Sequence, residues 1–152
     1  MRPKIVVLVG LPGSGKTTWL RERSLPALSS DETRRLLCGA VENQSINRLV
    51  FSAMRELLRR RLEAGAGVTY LDATSLALWE RRAWIRCAEL LDCGIEALYF
   101  DTPLDVCLER NRLRERVVPE EAMRLMARRL TPPTVEEGFD RITVVRPIPE
   151  KL

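Results

Sequence analysis

Two hydrophobic patterns alternate along the chain. Short continuous apolar runs, of which KIVVLVG at 4–10 is the clearest, alternate with segments whose apolar residues recur every three to four positions. The first pattern is typical of buried strands in a parallel sheet, and the second of amphipathic helices. The runs predict strands at 4–10, 26–30, 67–73, 95–101 and 141–145. The periodic segments predict helices at 15–23, 32–37, 45–64, 76–91, 103–111 and 119–130.

The longest predicted helix, 45–64, is expected to bury a face with Leu49, Ala53, Leu57 and Leu58, and Gly65 follows its end. Ser75 is expected to cap the next helix. Strands alternating with helices predict an α/β fold, a three-layer sandwich with a five-stranded parallel sheet between helices. All 152 residues are expected to form one domain.

Functional side chains are expected at one edge of this sheet, because ligands of open α/β sheets bind at the carboxyl ends of the strands. Three predicted strands end at a carboxylate, namely Asp31, Asp72 and Asp101, and the first strand ends at Gly10. The sequence therefore predicts that a glycine-rich loop and three aspartates share one rim.

The segment GLPGSGKT, residues 10–17, fits the pattern G-x-x-x-x-G-K-[ST] of a phosphate-binding P-loop. Its glycines let backbone N–H groups wrap around an anion at the start of a helix. Lys16 is expected to reach the β- and γ-phosphates of ATP, and the Thr17 hydroxyl to bind Mg²⁺. The predicted nucleotide-binding residues of the loop are Gly13, Ser14, Gly15, Lys16, Thr17 and Thr18.

The segment SSDETRR carries a candidate acceptor site. Asp31 and Arg34 lie one helical turn apart and can face the same way. A carboxylate there can take a proton from an attacking hydroxyl, and an arginine beside it can hold a phosphate of the acceptor. The alternative is that Asp31 only caps a helix and Arg34 is an ordinary surface charge.

The segment ERNRLRERVVPEE places four arginines between two predicted helices: Arg110, Arg112, Arg114 and Arg116. A helix–turn–helix of this kind, at about 110–130, can close over the phosphates as a lid and neutralise charge during transfer. The alternative is a solvated basic face that is partly paired with Glu109 and Glu115.

Composition narrows the chemistry. The chain has no histidine, which excludes Ser-His-Asp and Cys-His mechanisms, and its four cysteines lack metal-ligand spacing, so reduced and idle thiols are expected.

No membrane span or convincing signal peptide is visible, so a cytoplasmic protein is expected. The net charge of +4 is compatible with a nucleic-acid partner. Packing is expected for Trp19 and Trp84, and no tryptophan is assigned to substrate.

These motifs together resemble the kinase domain of the polynucleotide 5′-kinase family, found in phage and bacterial RNA-repair enzymes. The resemblance runs over about 4–145 and is carried by GLPGSGKTTW, SSDETR, LDATS, ERRAW and VCLERNRLRERVVPEEAM. It implies ATP- and Mg²⁺-dependent phosphorylation of a 5′-hydroxyl end of RNA or DNA. A monomer is expected, with a dimer left open. These enzymes usually carry a fused phosphatase, ligase or other partner domain, and none is expected within these 152 residues.

The resemblance also implies roles for single residues. Asp31 matches the general base, Arg34 the arginine on the acceptor's 3′-side phosphate, and Arg114 the lid arginine on the donor phosphates. Arg110 and Arg112 are further candidates for nucleotide contact. Asp72 is expected to be mainly structural or to support the residues that contact the ligand, and Ser75 stands where relatives commonly have Asn.

Two other functions stay open. One is a P-loop kinase for a small hydroxylated molecule such as a nucleoside, sugar or antibiotic, which needs a closed acceptor pocket. The other is a nucleotide-dependent switch without kinase activity, in which Asp31 and Arg34 would have no task.

Overall fold

The computed structural model describes residues 2–40 and 43–147. These residues form five strands: β1 (Lys4–Val9), β2 (Ala27–Ser29), β3 (Val68–Asp72), β4 (Gly94–Phe100) and β5 (Arg141–Val145). Six α-helices lie between them: α1 (Lys16–Glu22), α2 (Ser30–Cys38), α3 (Asn47–Glu63), α4 (Leu78–Leu90), α5 (Leu104–Arg112) and α6 (Glu120–Arg129). Short 3-10 turns occupy Gln44–Ile46 and Val135–Glu137.

All strand pairs are parallel, and the strand order is β2-β3-β1-β4-β5. The central strand β1 is almost entirely buried, which explains its continuous run of valine, isoleucine and leucine. The two sides of the sheet carry separate apolar clusters, one with α3 and α4 and the other with α1. The predicted three-layer α/β fold with a five-stranded parallel sheet is therefore confirmed.

The buried face of α3 differs from the predicted one. Leu58 is buried as predicted and Ala53 is half-buried, whereas Leu49 and Leu57 are exposed and Val50 and Met54 are buried in their place. The helix carries apolar residues on neighbouring stripes, and only the stripe that recurs every four residues from Val50 meets the sheet. Because Leu49 and Leu57 form a second apolar stripe that faces solvent, the sequence pattern alone does not show which stripe is buried.

Two helix starts also differ from the prediction. Asp31 does not end β2 but lies in the first turn of α2, where the Ser29 hydroxyl accepts a hydrogen bond from the Glu32 N–H at 3.2 Å. The expected cap at Ser75 is wrong: α4 starts after Ala77, whose N–H donates to Glu80 at 2.9 Å. Ser75 is instead buried, with a left-handed φ of 48°.

A buried ion pair joins α4 to the turn before β5. The fully buried Arg81 donates to the Glu137 carboxylate at 2.8 and 3.1 Å, and to the carbonyls of Ser75 and Leu76 at 3.0 and 2.8 Å. One guanidinium thus fixes the β3–α4 loop, which borders the cleft described below.

The tryptophans and cysteines are placed largely as predicted. Trp84 is buried next to Phe51, with ring centroids 6.3 Å apart, and Trp19 is half-buried between Tyr70 and Phe100. The four cysteines are free thiols. None of the helices among the described residues is long and apolar enough to cross a membrane.

Candidate active site

The phosphate loop connects β1 to α1 at the carboxyl edge of the sheet. Gly13 and Gly15 take left-handed φ values of 81° and 105°. A Cβ atom on Gly13 would lie 2.7 Å from the Cys107 carbonyl oxygen, so the close packing of α5 on the loop needs glycine there. The Thr102 hydroxyl donates to the Ser14 carbonyl at 2.9 Å and holds the loop from the other side.

Lys16 is buried at the base of the loop. Its Nζ atom donates to the carbonyls of Gly10 and Leu11 at 2.7 and 2.9 Å. Burial lowers the pKa of Lys16 to about 8, and the nearby Asp72 carboxylate opposes this shift. The Ser14 Oγ atom is also buried and has no hydrogen-bond partner among the described residues. The loop therefore has two groups that can still hydrogen-bond to a ligand, the third N–H of the Lys16 ammonium and the Ser14 hydroxyl.

Asp72, at the end of β3, faces the start of α1. Its carboxylate accepts a hydrogen bond from the Thr17 hydroxyl at 3.2 Å. Burial raises the pKa of Asp72, and the Lys16 ammonium opposes that shift. Asp72 thus contacts the predicted Mg²⁺ ligand, which agrees with the expectation of a supporting role. Its position at the end of the strand beside β1 was the signal in the sequence.

The oxygen atoms of Thr17 and Asp72 suit Mg²⁺, which prefers one or two protein oxygens together with substrate phosphates over an all-protein cage. The residues present therefore fit a magnesium ion that is bound jointly with nucleotide phosphates.

Asp31 and Arg34 face each other across the first turn of α2. Arg34 Nη1 donates to Asp31 Oδ1 at 2.9 Å, and Arg34 Nη2 donates to Asn47 Oδ1 at 2.7 Å. The Arg34 side chain is only 4% exposed, and its Nε atom has no hydrogen-bond partner in the described part of the chain. The Asp31 carboxylate is 48% exposed. The arginine is held rigidly while the carboxylate beside it stays open to the cleft.

The segment between α5 and α6 forms a loop above the cleft. Its ends are joined by Asn111 and Val118, because the Asn111 side chain donates to the Val118 carbonyl at 2.7 Å and accepts from its N–H at 3.0 Å. The predicted helix–turn–helix at 110–130 is present, and this side-chain bracket at its base is a feature that the sequence analysis missed.

The four arginines of this region separate in space. Arg110 donates to the Gly13 carbonyl at 3.3 Å, and Arg116 reaches across to Asp31 Oδ2 at 3.4 Å. Arg114 lies close enough to Lys16 and Asp72 to influence both electrostatically. Arg112 is exposed at the end of α5 and is not brought to the phosphate loop.

One cleft of about 1790 Å³ joins these parts. It is bordered by the phosphate loop, the start of α2, the β3–α4 loop and residues 110–118, which are called the arginine loop below. Asp31 and Asp72 line it as expected, but Asp101 does not: its carboxylate pairs with Arg146 at 3.5 Å. A phosphate-binding loop therefore faces a carboxylate–arginine pair across one open space.

The family of the chain follows from a comparison with known protein families. Residues 5–133 match the model of a family described as AAA domain (AAA_33). The chain belongs to this family. The matched region covers the phosphate loop, α2 and the arginine loop of this AAA domain, so it includes both sides of the cleft.

Two curated proteins are similar to this AAA domain. The bifunctional polynucleotide phosphatase/kinase of Schizosaccharomyces pombe is 25% identical over 93% of this chain and 33% of its own length. The L-seryl-tRNA(Sec) kinase of Methanococcus maripaludis is 22% identical over 97% of this chain and 60% of its own length. The chain thus spans between a third and three fifths of these relatives.

Solved structures give the same fold. A chain of the Pnkp1/Rnl/Hen1 RNA repair complex superposes with a TM-score of 0.73 at 21% identity, over 85% of this chain and 44% of that one. A gluconokinase from Sinorhizobium meliloti 1021 superposes with a TM-score of 0.63 at 18% identity, over 95% of this chain and 82% of that one. The AAA domain described here therefore has the fold of P-loop kinases.

Proposed function

We propose that this chain transfers the γ-phosphate of ATP to the 5′-hydroxyl end of a polynucleotide, RNA or DNA. The observation that carries the proposal is the Asp31–Arg34 pair, which opens onto the same cleft as the phosphate loop. A carboxylate beside a buried arginine supplies a proton acceptor and an anion-binding group at one point. A 5′-hydroxyl polynucleotide end presents a hydroxyl and a phosphate one sugar apart, which is the matching chemistry.

The donor side of the cleft is assigned to the phosphate loop and the arginines above it. Backbone N–H groups of Gly13, Ser14, Gly15 and Thr18 bind the phosphates of ATP, and the Lys16 ammonium holds the β- and γ-phosphates. Arg114 has no ion-pair partner among the described residues, and it neutralises the charge of the transferring group. Arg110 adds a second cation beside the loop, and residues 110–130 act as a lid.

Thr17 and Asp72 are assigned to Mg²⁺. The ion, when bound with ATP, supplies charge neutralisation and fixes the orientation of the phosphates. The protein contributes the two oxygen groups, 3.2 Å apart, and the lysine that lies beside them.

The acceptor side is assigned to α2 and the start of α3. Asp31 accepts the proton of the attacking 5′-hydroxyl, and Arg34 binds the phosphate on the 3′ side of the same nucleoside. Arg116, to which the resemblance assigns no role, contacts Asp31 and holds the carboxylate from the lid side. Asn47 keeps the guanidinium of Arg34 in position by its hydrogen bond from α3.

The relatives support a nucleic-acid acceptor. The name of the first curated relative contains a polynucleotide, and the name of the second contains a transfer RNA. The alternative is a small hydroxylated acceptor such as a nucleoside, a sugar or an antibiotic, and the likeness to a gluconokinase favours it. The cleft of about 1790 Å³ has to hold ATP as well as the acceptor, so its volume fits either kind of acceptor.

The acceptor phosphate gives a sharp test. We expect kcat/KM to be about 10–100-fold higher for a nucleoside 3′-phosphate than for the same nucleoside, since a charged hydrogen bond contributes about 1.5–3 kcal/mol. Arg34→Gln should remove this preference. The matched control is Arg35→Gln, because Arg35 is exposed on the same helix and paired with Glu32, and it should retain the preference. Equal kcat/KM values for the two acceptors in the parent enzyme would contradict the assignment of Arg34.

A further inference from the structure

A second groove opens from the acceptor side of the cleft, between α3 and α4. It has a volume of about 400 Å³ and shares Arg55, Trp79 and Ala83 with the main cleft, so the two are continuous. It is separate from the phosphate loop, and neither the donor nor the proton acceptor of the proposed reaction occupies it. Its lining residues are Arg55, Trp79, Arg82, Ala83, Arg86, Cys87 and Leu90.

The groove is basic and carries an exposed aromatic ring. Trp79, Arg82 and Arg86 recur at helical spacing on one face of α4, and Arg55 faces them from α3. No acidic residue lines the groove among the described residues. Trp79 is 67% exposed, although tryptophan is usually buried by packing.

The arginines of this groove differ from others on the surface. On the same helix α3, Arg59 and Arg60 are paired with Glu56 and Glu63 at 2.7–3.2 Å. On α6, Arg124 is paired with Glu120 at 2.9 Å. By contrast, no ion pair or hydrogen bond joins the side chains of the groove arginines Arg55, Arg82 and Arg86 to any residue of 2–40 or 43–147. The same holds for Arg48, which lines the main cleft.

We infer that the α3–α4 groove binds the single-stranded polynucleotide that continues in the 3′ direction from the acceptor nucleotide. The inference rests on the proposed function and extends it from the reacting end to the following nucleotides. Its path starts at Arg34, passes Arg48 and Arg55 on α3, and reaches Arg82 and Arg86 on α4. These guanidinium groups bind successive phosphates, and Trp79 stacks on a base.

The spacing of these groups suits a nucleic-acid strand. Arg48 and Arg55 are seven residues apart on α3, which corresponds to about 10 Å along the helix axis, and Arg82 and Arg86 are about 6 Å apart on α4. Charged side chains interleaved with an aromatic ring are the usual means of binding single strands without reading their sequence. We therefore expect the affinity of the groove for a strand to depend on the length and charge of that strand and little on the identity of its bases.

The test compares short and long acceptors. We expect KM for a 5′-hydroxyl 10-mer to be well below KM for a nucleoside 3′-phosphate. The triple variant Arg55→Gln, Arg82→Gln, Arg86→Gln should raise KM for the 10-mer roughly 10–100-fold and reduce the slope of log affinity against log salt by about 2. Trp79→Ala should raise KM for the 10-mer about 5–100-fold. Neither should change kcat/KM for the nucleoside 3′-phosphate by more than about twofold.

The matched control removes the same number of charges elsewhere. The variant Arg59→Gln, Arg60→Gln, Arg124→Gln takes three arginines from ion-paired positions outside the groove and should leave KM for the 10-mer unchanged. Equal KM values for the two acceptors, or equal effects of the two triple variants, would overturn the inference. So would displacement of a fluorescent 10-mer by poly-glutamate as effectively as by poly-uridine, since that result indicates a general polyanion surface.

The transfer assays distinguish a wrong assignment of the groove from a wrong proposed function. Transfer to the nucleoside 3′-phosphate with no gain from a longer strand overturns only the groove assignment. The absence of transfer to every nucleotide acceptor overturns both.

Discussion

Replacing Asp31 by asparagine should lower kcat for phosphoryl transfer by about 10²–10⁴-fold while leaving ATP binding nearly intact. A positioned general base contributes this much to a proton transfer, and an amide cannot take the proton. The amide of the Asp31→Asn variant would still offer an oxygen to the Nη1 atom of Arg34, 2.9 Å away in the parent, so the buried guanidinium keeps a partner. Transfer rates with saturating ATP, together with the Kd of ATP from calorimetry, measure the two effects separately.

Two further variants make this prediction specific. Asp31→Ala should lose at least as much activity as Asp31→Asn, while Glu32→Gln should stay within about threefold of the parent, because Glu32 is exposed and its carboxylate pairs with Arg35. A nucleotide-dependent switch would tolerate Asp31→Asn with little change in function. Retention of more than about a third of the parent kcat in Asp31→Asn would contradict the role of Asp31 as the base.

The second large effect concerns stability. Arg81→Met should lower the free energy of unfolding by about 3–5 kcal/mol, since it leaves the Glu137 carboxylate without its buried partner. The carbonyls of Ser75 and Leu76 would lose their hydrogen bonds in the same step. Typical domains are stable by only about 5–15 kcal/mol, so the loss is a large fraction of the total. Guanidinium denaturation followed by tryptophan fluorescence measures it.

The adjacent arginine provides the control. Arg82 is exposed, so Arg82→Met should change the free energy of unfolding by no more than about 0.5 kcal/mol. A loss below about 1 kcal/mol in Arg81→Met would show that the ion pair between α4 and the 3-10 turn does not hold the β3–α4 loop.

The phosphate loop could be predicted from the sequence because its determinants are local. The buried run of β1, the glycines and Lys16 are contiguous, and the left-handed φ values of Gly13 and Gly15 are ones that glycine alone adopts readily. The parallel sheet followed from the alternation of strands and helices. The start of α2 was less clear, because three residues in a row, Ser29 to Asp31, are all good helix caps.

The parts that the sequence did not predict depend on contacts between distant segments. Arg116 lies 85 residues from Asp31, and nothing in the local pattern of the arginine loop distinguishes it from Arg112, which faces solvent. The bracket between Asn111 and Val118 likewise depends on how the loop closes. The basic groove appears only when α3 and α4 are packed side by side, since its arginines are far apart along the chain and resemble ordinary surface charges.

The central claim is that the acceptor is a polynucleotide end, and one transfer assay tests it most directly. ATP labelled at the γ-phosphate is incubated with the full chain, Mg²⁺ and a 10-mer of RNA or DNA with either a 5′-hydroxyl or a 5′-phosphate. A parallel reaction contains a pool of nucleosides, sugars and aminoglycosides. We expect strong label on the 5′-hydroxyl oligonucleotides, none on the 5′-phosphate oligonucleotides and at most weak label on the nucleosides of the pool, and we expect this label to be lost in Asp31→Ala. Label on a small molecule of the pool and on none of the oligonucleotides would contradict it.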